Sequence, residues 1–343
     1  MATVTQLGYS TLIDVVNEYT SLDTQAQYIE AAKVLDRKCP LVRILPMIAS
    51  NQIMSNIGSR DTYLGSPGTR RFNEGVLPTA THSAPLTDPI ALFEDYSEVD
   101  YALWKIQNDP NRWRQNQDRR KIEGFTQKAE DTFWYGNIAT DPSQFNGLTT
   151  RFNKLQVYPN NDSTWFYNVY DGGATTVLTS IWIIEFGEHK CYGIYPKNLP
   201  GGLEFEDLGK VTREDYQSSY INKMHEVLRS HFTWFLGIQI EDERCCQRYS
   251  NISTTGTANI FDENILITLK NQLPSMGEDP ATVIFMNRTI KTQVDIRAVS
   301  QKLNTYFVQE PSGDVWGRPV TRFQGIPVMV AERLTSTETQ VTA

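Results

Sequence analysis

Residues 58–89 have the sequence GSRDTYLGSPGTRRFNEGVLPTATHSAPLTDP, which contains eight glycine and proline residues. Proline fixes one backbone dihedral angle and lacks an N–H donor, and glycine favours turns over regular elements. This density excludes a long helix. The pattern therefore predicts two extended limbs joined by a turn.

The same part of the chain is acidic and poor in apolar residues. Between Asp61 and Asp100 there are seven acidic residues and only two basic ones, Arg70 and Arg71. The apolar side chains are too sparse to offset the conformational entropy that is lost when such a loop becomes ordered. A segment of this length is either disordered or stabilised from outside its own subunit, and we favour a neighbouring subunit.

The segment that follows predicts one long helix over residues 110–137. Asp109 can cap the helix and Pro110 suits its first position. A helix of about 25 residues spans about 37 Å, so it would cross most of the fold. Gly136 and Asn137 end the run. An apolar stripe at helical spacing consists of Ile122, Phe125, Ala129 and Phe133.

Shorter elements are predicted before and after this helix. Residues 24–36 have the spacing of a helix, with Asp23 as its cap. Residues 176–186 and 191–195 have the composition of strands, and the short connection between them predicts a hairpin.

The last third of the chain alternates between helix and strand patterns, which is typical of an α+β domain. Asp262 can cap a helix that runs to Gln272, and Asn287 can cap a second helix. Residues 224–240 fit a helix or a strand at their start and a strand from Phe232 onward. The remaining predicted strands are residues 282–286 and 326–330.

Composition narrows the class of protein. The chain has 343 residues, with 32 basic and 40 acidic side chains and a formal net charge of −8. A pI near 5.2 argues against a protein whose main task is to bind nucleic acid phosphates. The mean hydropathy is −0.41, and no apolar run approaches the ~18 residues of a membrane span. The first residues lack the features of a secretory signal.

Four cysteines are too few for a disulfide scaffold in a chain of this length. None of them forms a C-x-x-C pair, so we expect free thiols, buried or half-buried, as suits a reducing cytoplasm. The four are Cys39, Cys191, Cys245 and Cys246.

Motifs that resemble catalytic or metal sites fail on spacing. His225-Glu226 and His231 resemble the zinc motif H-E-x-x-H, but the histidines stand at i and i+6 rather than i and i+4. Gly209-Lys210 lacks the other residues of a phosphate-binding P-loop, because Glu204 and Val211 occupy their positions. We therefore predict no catalytic, metal-binding or cofactor-binding residue and no cofactor.

Five short motifs follow one another in a specific order: RFNEGV at 71–76, YSEVD at 96–100, FWYGN at 133–137, FNGL at 145–148 and FQGIPV at 323–328. Their order and spacing resemble the major capsid proteins of tailed bacteriophages, which have the Hong Kong 97-like fold. The resemblance is greatest to coat proteins of short-tailed phages of the epsilon-fifteen kind, and it extends over about residues 55–335.

This resemblance implies an α+β, Hong Kong 97-like capsid fold with an E-loop that reaches across a neighbouring subunit. The implied parts are an N-terminal arm over 1–58, the extended E-loop hairpin over 59–97, a peripheral domain over 98–255 with the spine helix at about 110–137 and a β-rich insertion at about 155–222, an axial domain over 256–312, and a closing strand over 313–343 that returns to the peripheral domain.

The implied function is that of a structural protein, not an enzyme. It would self-assemble into hexamers and pentamers of an icosahedral phage head, enclosing double-stranded DNA without sequence-specific binding. The implied partners are further copies of the chain, and portal, scaffolding and cement or decoration proteins, with no membrane. The protein would be made in the bacterial cytoplasm and reside in the virion.

Candidate contacts between subunits are Arg70, Arg71, Phe72 and Glu74, because the loop offers few other charged anchors. Some members of the family join subunits through an isopeptide bond from an E-loop lysine to an asparagine. Residues 59–97 contain no lysine, so a noncovalent shell is expected.

Two other functions stay open at this stage. A cytoplasmic hydrolase or transferase would use residues 59–97 as a lid, and it requires a convergent His/Asp/Glu site that the sequence does not reveal. A phage connector or tail subunit would form a closed ring.

Overall fold

The computed structural model describes residues 39–155, 157–159, 165–199, 201–214, 223–256, 258–300, 307–310 and 320–342. The predicted helix at 24–36 lies outside these residues. The helices are α1 (Pro40–Ile44), α2 (Tyr101–Ile106), α3 (Pro110–Tyr135), α4 (Leu148–Arg151), α5 (Glu263–Gln272) and α6 (Arg288–Ser300).

The strands are β1 (Met47–Ala49), β2 (Ser55–Tyr63), β3 (His82–Pro89), β4 (Ala91–Asp100), β5 (Val157–Pro159), β6 (Trp165–Tyr167), β7 (Val169–Asp171), β8 (Leu178–Glu185), β9 (Cys191–Tyr195), β10 (Leu203–Glu214), β11 (Met224–Ile240), β12 (Cys246–Ser253), β13 (Thr282–Met286), β14 (Phe307–Glu310), β15 (Val320–Phe323) and β16 (Ile326–Val330).

The chain divides into two compact units. The described part of the first unit consists of Leu92–Lys128 and Gly202–Phe235, and the second unit contains the other described residues. Among the described residues, no helix has the length and hydropathy that crossing a bilayer requires.

The first unit is built on the long strand β11. Strand β10 pairs with it antiparallel from Leu203↔Trp234 to Glu214↔Met224, and β4 also pairs with β11. Phe232 of β11 contacts the rings of Phe125 on α3 and Phe205 on β10, with centroids 6.1 Å and 5.3 Å away. Aromatic burial therefore holds this part of the long helix against the sheet.

The second unit is built on a seven-stranded sheet in the order β14-β15-β16-β13-β8-β12-β7. Every residue of β8, β12 and β13 is buried, as expected for strands covered on both faces. Helices α5 and α6 contribute Leu266, Leu269, Ile290 and Val294 to the same core cluster as the strands. In this unit, β9 lies between β1 and the last residues of β11.

The long helix confirms the main prediction from the sequence, since α3 begins at Pro110 and ends at Tyr135. The carboxylate of Asp109 accepts the backbone N–H of Arg112 at 3.2 Å, as a cap should. Phe125, Ala129 and Phe133 of the apolar stripe are buried, whereas Ile122 is 39% exposed.

The caps of the two later helices are also confirmed. Asp262 accepts the N–H of Asn264 at 3.1 Å, and Asn287 accepts the N–H of Thr289 at 3.0 Å. Residues 224–240 form one continuous strand rather than a helix followed by a strand.

The hairpin predicted for residues 176–195 is wrong. Strands β8 and β9 exist, but β8 pairs with β12 and β13 while β9 pairs with β1 and β11. Strands β12 and β13 occupy both edges of β8, so β8 has no free edge at which β9 could form backbone hydrogen bonds. The short connection carries the chain from one sheet to another instead of reversing it within one sheet.

A buried ion pair within the second unit joins the segment after β16 to strand β12. Arg248 and Glu338 lie 2.8 Å apart, and both side chains are less than 5% exposed. Arg248 also donates to the carbonyl of Phe152 at 2.7 Å and to Ser180 at 3.0 Å. Burial of both charges is tolerated because each has further hydrogen-bond partners.

The four cysteines are free and buried, as predicted. Burial, and after it the nearby carboxylate of Glu130, raises the pKa of Cys39 to about 12. This thiol therefore stays protonated and unreactive at neutral pH.

Glu130 is a fully buried carboxylate on α3. It accepts a hydrogen bond from the indole of Trp134 at 3.3 Å and faces the backbone N–H groups of Leu41 and Val42 in α1. Cys39, the residue before α1, offers no side-chain cap, so the carboxylate lies where a cap would. Burial raises the pKa of Glu130 to about 7, because the charged form loses its hydration.

We predict that Glu130→Gln flattens the pH dependence of stability between pH 5 and pH 8. The pKa of Glu130 in the folded subunit, about 7, lies above the ordinary value of 4.5. The folded state therefore keeps a proton that the unfolded chain releases, and the free energy of unfolding falls as pH rises through this window. The loss from this group amounts to about 3 kcal/mol at most.

Glutamine resembles the neutral carboxyl and does not titrate. Urea unfolding of unassembled wild-type and variant subunits at pH 5 and pH 8 checks the prediction, and equal pH slopes for the two proteins contradict it.

Candidate functional site

The segment with high glycine and proline content forms an extended hairpin, as predicted. Strands β2 and β3 pair antiparallel from Ser55↔Pro89 to Tyr63↔His82. The residues between the strands, 64–81, contain no regular element, and all of them except Gly65 are exposed. We call residues 64–81 the hairpin tip.

The two limbs of the tip run side by side. A Cβ on Gly68 would lie 3.2 Å from Val76, and the hydroxyl of Thr79 donates to the carbonyl of Ser66 at 3.4 Å. A turn at residues 71–74 closes the tip, where Asn73 has a φ of 67°. Asparagine is one of the few residues that tolerate this left-handed conformation, which explains its place in the turn.

The candidate contact residues all lie in or beside this turn. Arg70 donates to the carbonyl of Glu74 at 3.1 Å, and the N–H of Glu74 donates to the carbonyl of Arg71 at 3.2 Å. The Arg71 side chain has no hydrogen bond or ion pair with any described residue. Phe72 is 98% exposed. The turn therefore presents an aromatic ring flanked by charged side chains to the solvent.

The hairpin also exposes apolar side chains, although its sequence suggested that apolar residues are sparse and that charges dominate the loop. The structure shows several of them on the surface of the hairpin, namely Ile57, Tyr63, Leu64, Val76 and Leu77. Isolated exposed apolar residues are ordinary, but a group of them on one exposed element is typical of an interaction surface. The residues that flank Phe72 in the sequence do not predict that its side chain is almost completely exposed.

The root of the hairpin, in contrast, is held by its own subunit. Asn56 and Asp88 are buried, at 7% and 4% exposure. Asp88 pairs with Arg151 at 2.6 Å, and Asn56 donates to the hydroxyl of Tyr192 at 3.2 Å. In the described chain, residues 64–81 hydrogen-bond only to one another. The root of the hairpin is thus anchored to its own subunit, whereas the tip has no hydrogen bond to the described residues outside it.

A carboxylate beside the root organises two further groups. Glu241 accepts a hydrogen bond from the hydroxyl of Tyr192 at 2.6 Å and contacts Nδ1 of His189 at 2.7 Å. Burial, followed by this hydrogen bond to Glu241, raises the pKa of Tyr192. The hydrogen bond to Glu241 raises the pKa of His189, because it favours the imidazolium form.

The residues of the discarded zinc motif lie on β11 of the first unit. His231 contacts Glu94 at 2.7 Å and stacks on the ring of Tyr96, with ring centroids 4.4 Å apart. In the part of the chain that the structure describes, no three His, Cys, Asp or Glu side chains are arranged to hold a metal ion.

Known proteins resemble this chain over almost its whole length. Residues 23–342 match the family model described as major capsid protein GP7. A chain in a structure of bacteriophage Epsilon15 is similar at 23% sequence identity and a TM-score of 0.65, with 100% of each chain covered.

A chain in the bacteriophage JBD30 capsid is similar at 14% identity and a TM-score of 0.50, covering 94% of this chain and 99% of that one. No curated protein matches the sequence. The two structural likenesses confirm the predicted α+β, Hong Kong 97-like capsid fold.

We predict that replacing residues 65–80 by a short Gly-Ser turn leaves the stability of the unassembled subunit almost unchanged. The tip hydrogen-bonds only to itself within the described chain, so its removal breaks no contact with the body. Urea unfolding should give a free energy within about 0.5 kcal/mol of wild type.

Asp88→Ala serves as the control for the shortened variant. It removes a buried carboxylate and leaves the partly buried Arg151 without its partner, which should cost about 3 kcal/mol. A comparable loss in the shortened variant would mean that the tip packs against its own subunit.

Proposed function

The chain belongs to the GP7 family of major capsid proteins, and from this membership we propose how it builds a shell. Its role is structural, in the head of the virion. We propose that copies assemble into hexamers and pentamers of an icosahedral head that encloses double-stranded DNA. The observation that carries the proposal is the extended hairpin, whose turn leaves Phe72 98% exposed.

We propose that the tip of each hairpin lies on a neighbouring copy of the chain. Burying a phenylalanine side chain stabilises a contact by about 2–3 kcal/mol, and the other apolar residues of the tip add to this. Interfaces of obligate assemblies commonly exceed ~2,000 Å² in total, which a long arm helps to supply. Contacts of modest strength, repeated around every subunit, suffice for a shell because each copy binds several others.

The parts of the family fold are assigned to this chain as part of the proposal. Residues 59–97 act as the E-loop, and α3 acts as the spine helix of a peripheral domain over 98–255. Residues 256–312, which include α5, β13 and α6, act as the axial domain. Residues 1–58 act as an N-terminal arm, and β15 and β16 belong to the closing segment over 313–343.

The shell needs no catalytic group of its own, and we propose that the chain is not an enzyme. Its family supports this, since a major capsid protein is neither a hydrolase nor a connector subunit. Portal, scaffolding and cement or decoration proteins are proposed partners. A net charge of −8 suits a wall that encloses DNA without binding it tightly, because strong binding needs clustered basic residues.

We predict that Phe72→Ser abolishes shell formation at subunit concentrations at which wild type assembles. The loss of about 2 kcal/mol at each contact corresponds to more than a tenfold weaker association. The fold should be unaffected, because the ring touches almost nothing in its own subunit. Negative-stain electron microscopy and light scattering measure the outcome.

Phe72→Leu is the matched control and should assemble, because leucine keeps most of the apolar area. Arg71→Glu in the same assay tests whether the positive charge beside the ring contributes to the association of subunits. Normal particles from Phe72→Ser would show that the ring of Phe72 does not contribute to the interface between subunits.

We also predict that the shell is noncovalent. Residues 59–97 contain no lysine, so the hairpin lacks the amine that an isopeptide bond requires. Purified particles that are boiled in SDS should give one band at the mass of the single chain. A ladder of multiples that survives reduction would contradict this prediction.

A further inference from the structure

We infer that a set of polar contacts at the base of the hairpin fixes its direction and thereby the regularity of the shell. We call this set the root clamp. It consists of Asn56, Arg60 and Asp88 on the hairpin and their side-chain partners on the body, which are Arg151, Tyr192, Gln239 and Glu243. The inference rests on the proposed function and adds to it the residues that decide where the tip points.

The first anchor of the clamp is Asn56 on β2. Its amide donates to the hydroxyl of Tyr192 at 3.2 Å and to the side-chain oxygen of Gln239, and its own oxygen accepts the N–H of Asn51 at 2.9 Å. Tyr192 and Gln239 are directly opposite each other on β9 and β11. A pair of neighbouring strands therefore presents both partners, and each hydrogen-bonding group of the asparagine side chain is satisfied.

The second anchor is Asp88 on β3, the register partner of Asn56 on the other strand. Its carboxylate pairs with Arg151 at 2.6 Å. Arg151 is in turn oriented by the carbonyls of Asn146 at 2.9 Å and Ile238 at 3.2 Å. The two anchors thus hold the two strands at the same level, on different parts of the body.

The third anchor lies further out along β2. Arg60 donates to the carbonyls of Glu241 at 3.0 Å and Ile240 at 3.3 Å, and pairs with Glu243 at 2.6 Å. Arg60 lies four positions along the strand from Asn56, which corresponds to about 13 Å. Between these anchors the body approaches closely, since a Cβ on Gly58 would lie 2.6 Å from the amide nitrogen of Gln239.

Three anchors at different places define a direction, whereas one anchor would define only a point of attachment. Hydrogen bonds suit this purpose because their energy depends on angle as well as distance. An apolar contact of equal area would hold the hairpin but would tolerate sliding and rotation. Buried polar pairs contribute less to stability than apolar packing does, and specifying a geometry is a role they can fill.

The length of the hairpin makes its direction matter. From Arg60 to Phe72 the chain is up to about 40 Å long when extended. A rotation of about 10° at the root would therefore move the tip by about 7 Å, enough to miss a contact site on a neighbour. Without the clamp, a two-stranded hairpin has too little structure of its own to keep its orientation. Loose hairpins would join subunits at variable angles and give irregular shells.

The test compares two substitutions of the same chemistry in the second unit. Asp88→Asn weakens the clamp by removing the charge that pairs with Arg151. Glu338→Gln weakens a second ion pair, with Arg248, which has no hydrogen bond or ion pair with the described residues of the hairpin. Each variant removes the charge of a buried carboxylate, so both should lose stability, and only Asp88→Asn should change the orientation of the hairpin.

Orientation is measured in unassembled subunits by pulsed electron spin resonance between labels at Ser83→Cys, on the hairpin, and Lys197→Cys, on the body. Both positions are exposed, and the native cysteines are buried, so the labels attach to the introduced thiols. We expect the width of the distance distribution to at least double in Asp88→Asn and to stay at the wild-type value in Glu338→Gln. Arg60→Gln, at the more exposed outer anchor, provides the same test if Asp88→Asn does not fold.

Shell geometry is measured by electron microscopy of particles assembled from the same variants without labels. Asp88→Asn should give tubes, open sheets or shells of mixed diameter, and Glu338→Gln should give regular shells. Unchanged label distances and regular shells for both Asp88→Asn and Arg60→Gln would overturn the inference. If wild type itself forms no shells, the proposed function fails, while the label distances still decide whether the clamp fixes the hairpin.

Discussion

The structure depends on one constraint, which is that a two-stranded hairpin cannot be stable in water without packing against something else. Among the described strands, its two strands form a sheet only with each other, and the tip has scarcely any buried side chain. The chain meets the constraint in two different ways at the two ends of the same element. The root is buried in its own subunit, and we propose that the tip packs against another copy of the chain.

The chemistry of the two ends matches these two tasks. The root uses polar groups, which cost free energy to bury but fix a geometry. Its contacts form within one subunit when the chain folds. The tip uses apolar groups, which gain free energy from any suitable surface and are therefore effective between molecules that meet by diffusion. The root contacts Tyr192 on β9 and Gln239 on β11 in the second unit, and these strands hold the base of the arm.

The sequence predicted the elements that depend on local signals. Asp109-Pro110 marked the start of α3, Asp262 and Asn287 marked two helix caps, and the glycine and proline residues excluded a helix at 58–89. It failed where pairing is decided at long range. The connection between β8 and β9 has the length of a hairpin, yet both edges of β8 are taken by strands far away in sequence.

The candidate site shows the same division between local and distant information. Arg70, Arg71, Phe72 and Glu74 were identified from the composition of the loop, and they do lie together at its turn. The root contacts could not be predicted, because Asp88 and Arg151 are 63 residues apart and Asn56 and Gln239 are 183 residues apart. No periodicity relates such residues, and only the fold brings them together.

The charged residues around Phe72 also affect how strongly an unassembled subunit associates nonspecifically with other molecules. An exposed aromatic ring on an arm with unpaired strand edges invites nonspecific association. Arg70, Arg71 and Glu74 surround the ring with charge of both signs, which keeps the tip hydrated and disfavours contact with surfaces that offer no complementary charge. We propose that the same residues limit which surfaces the ring accepts, and that the accepted surface belongs to a second copy of the chain.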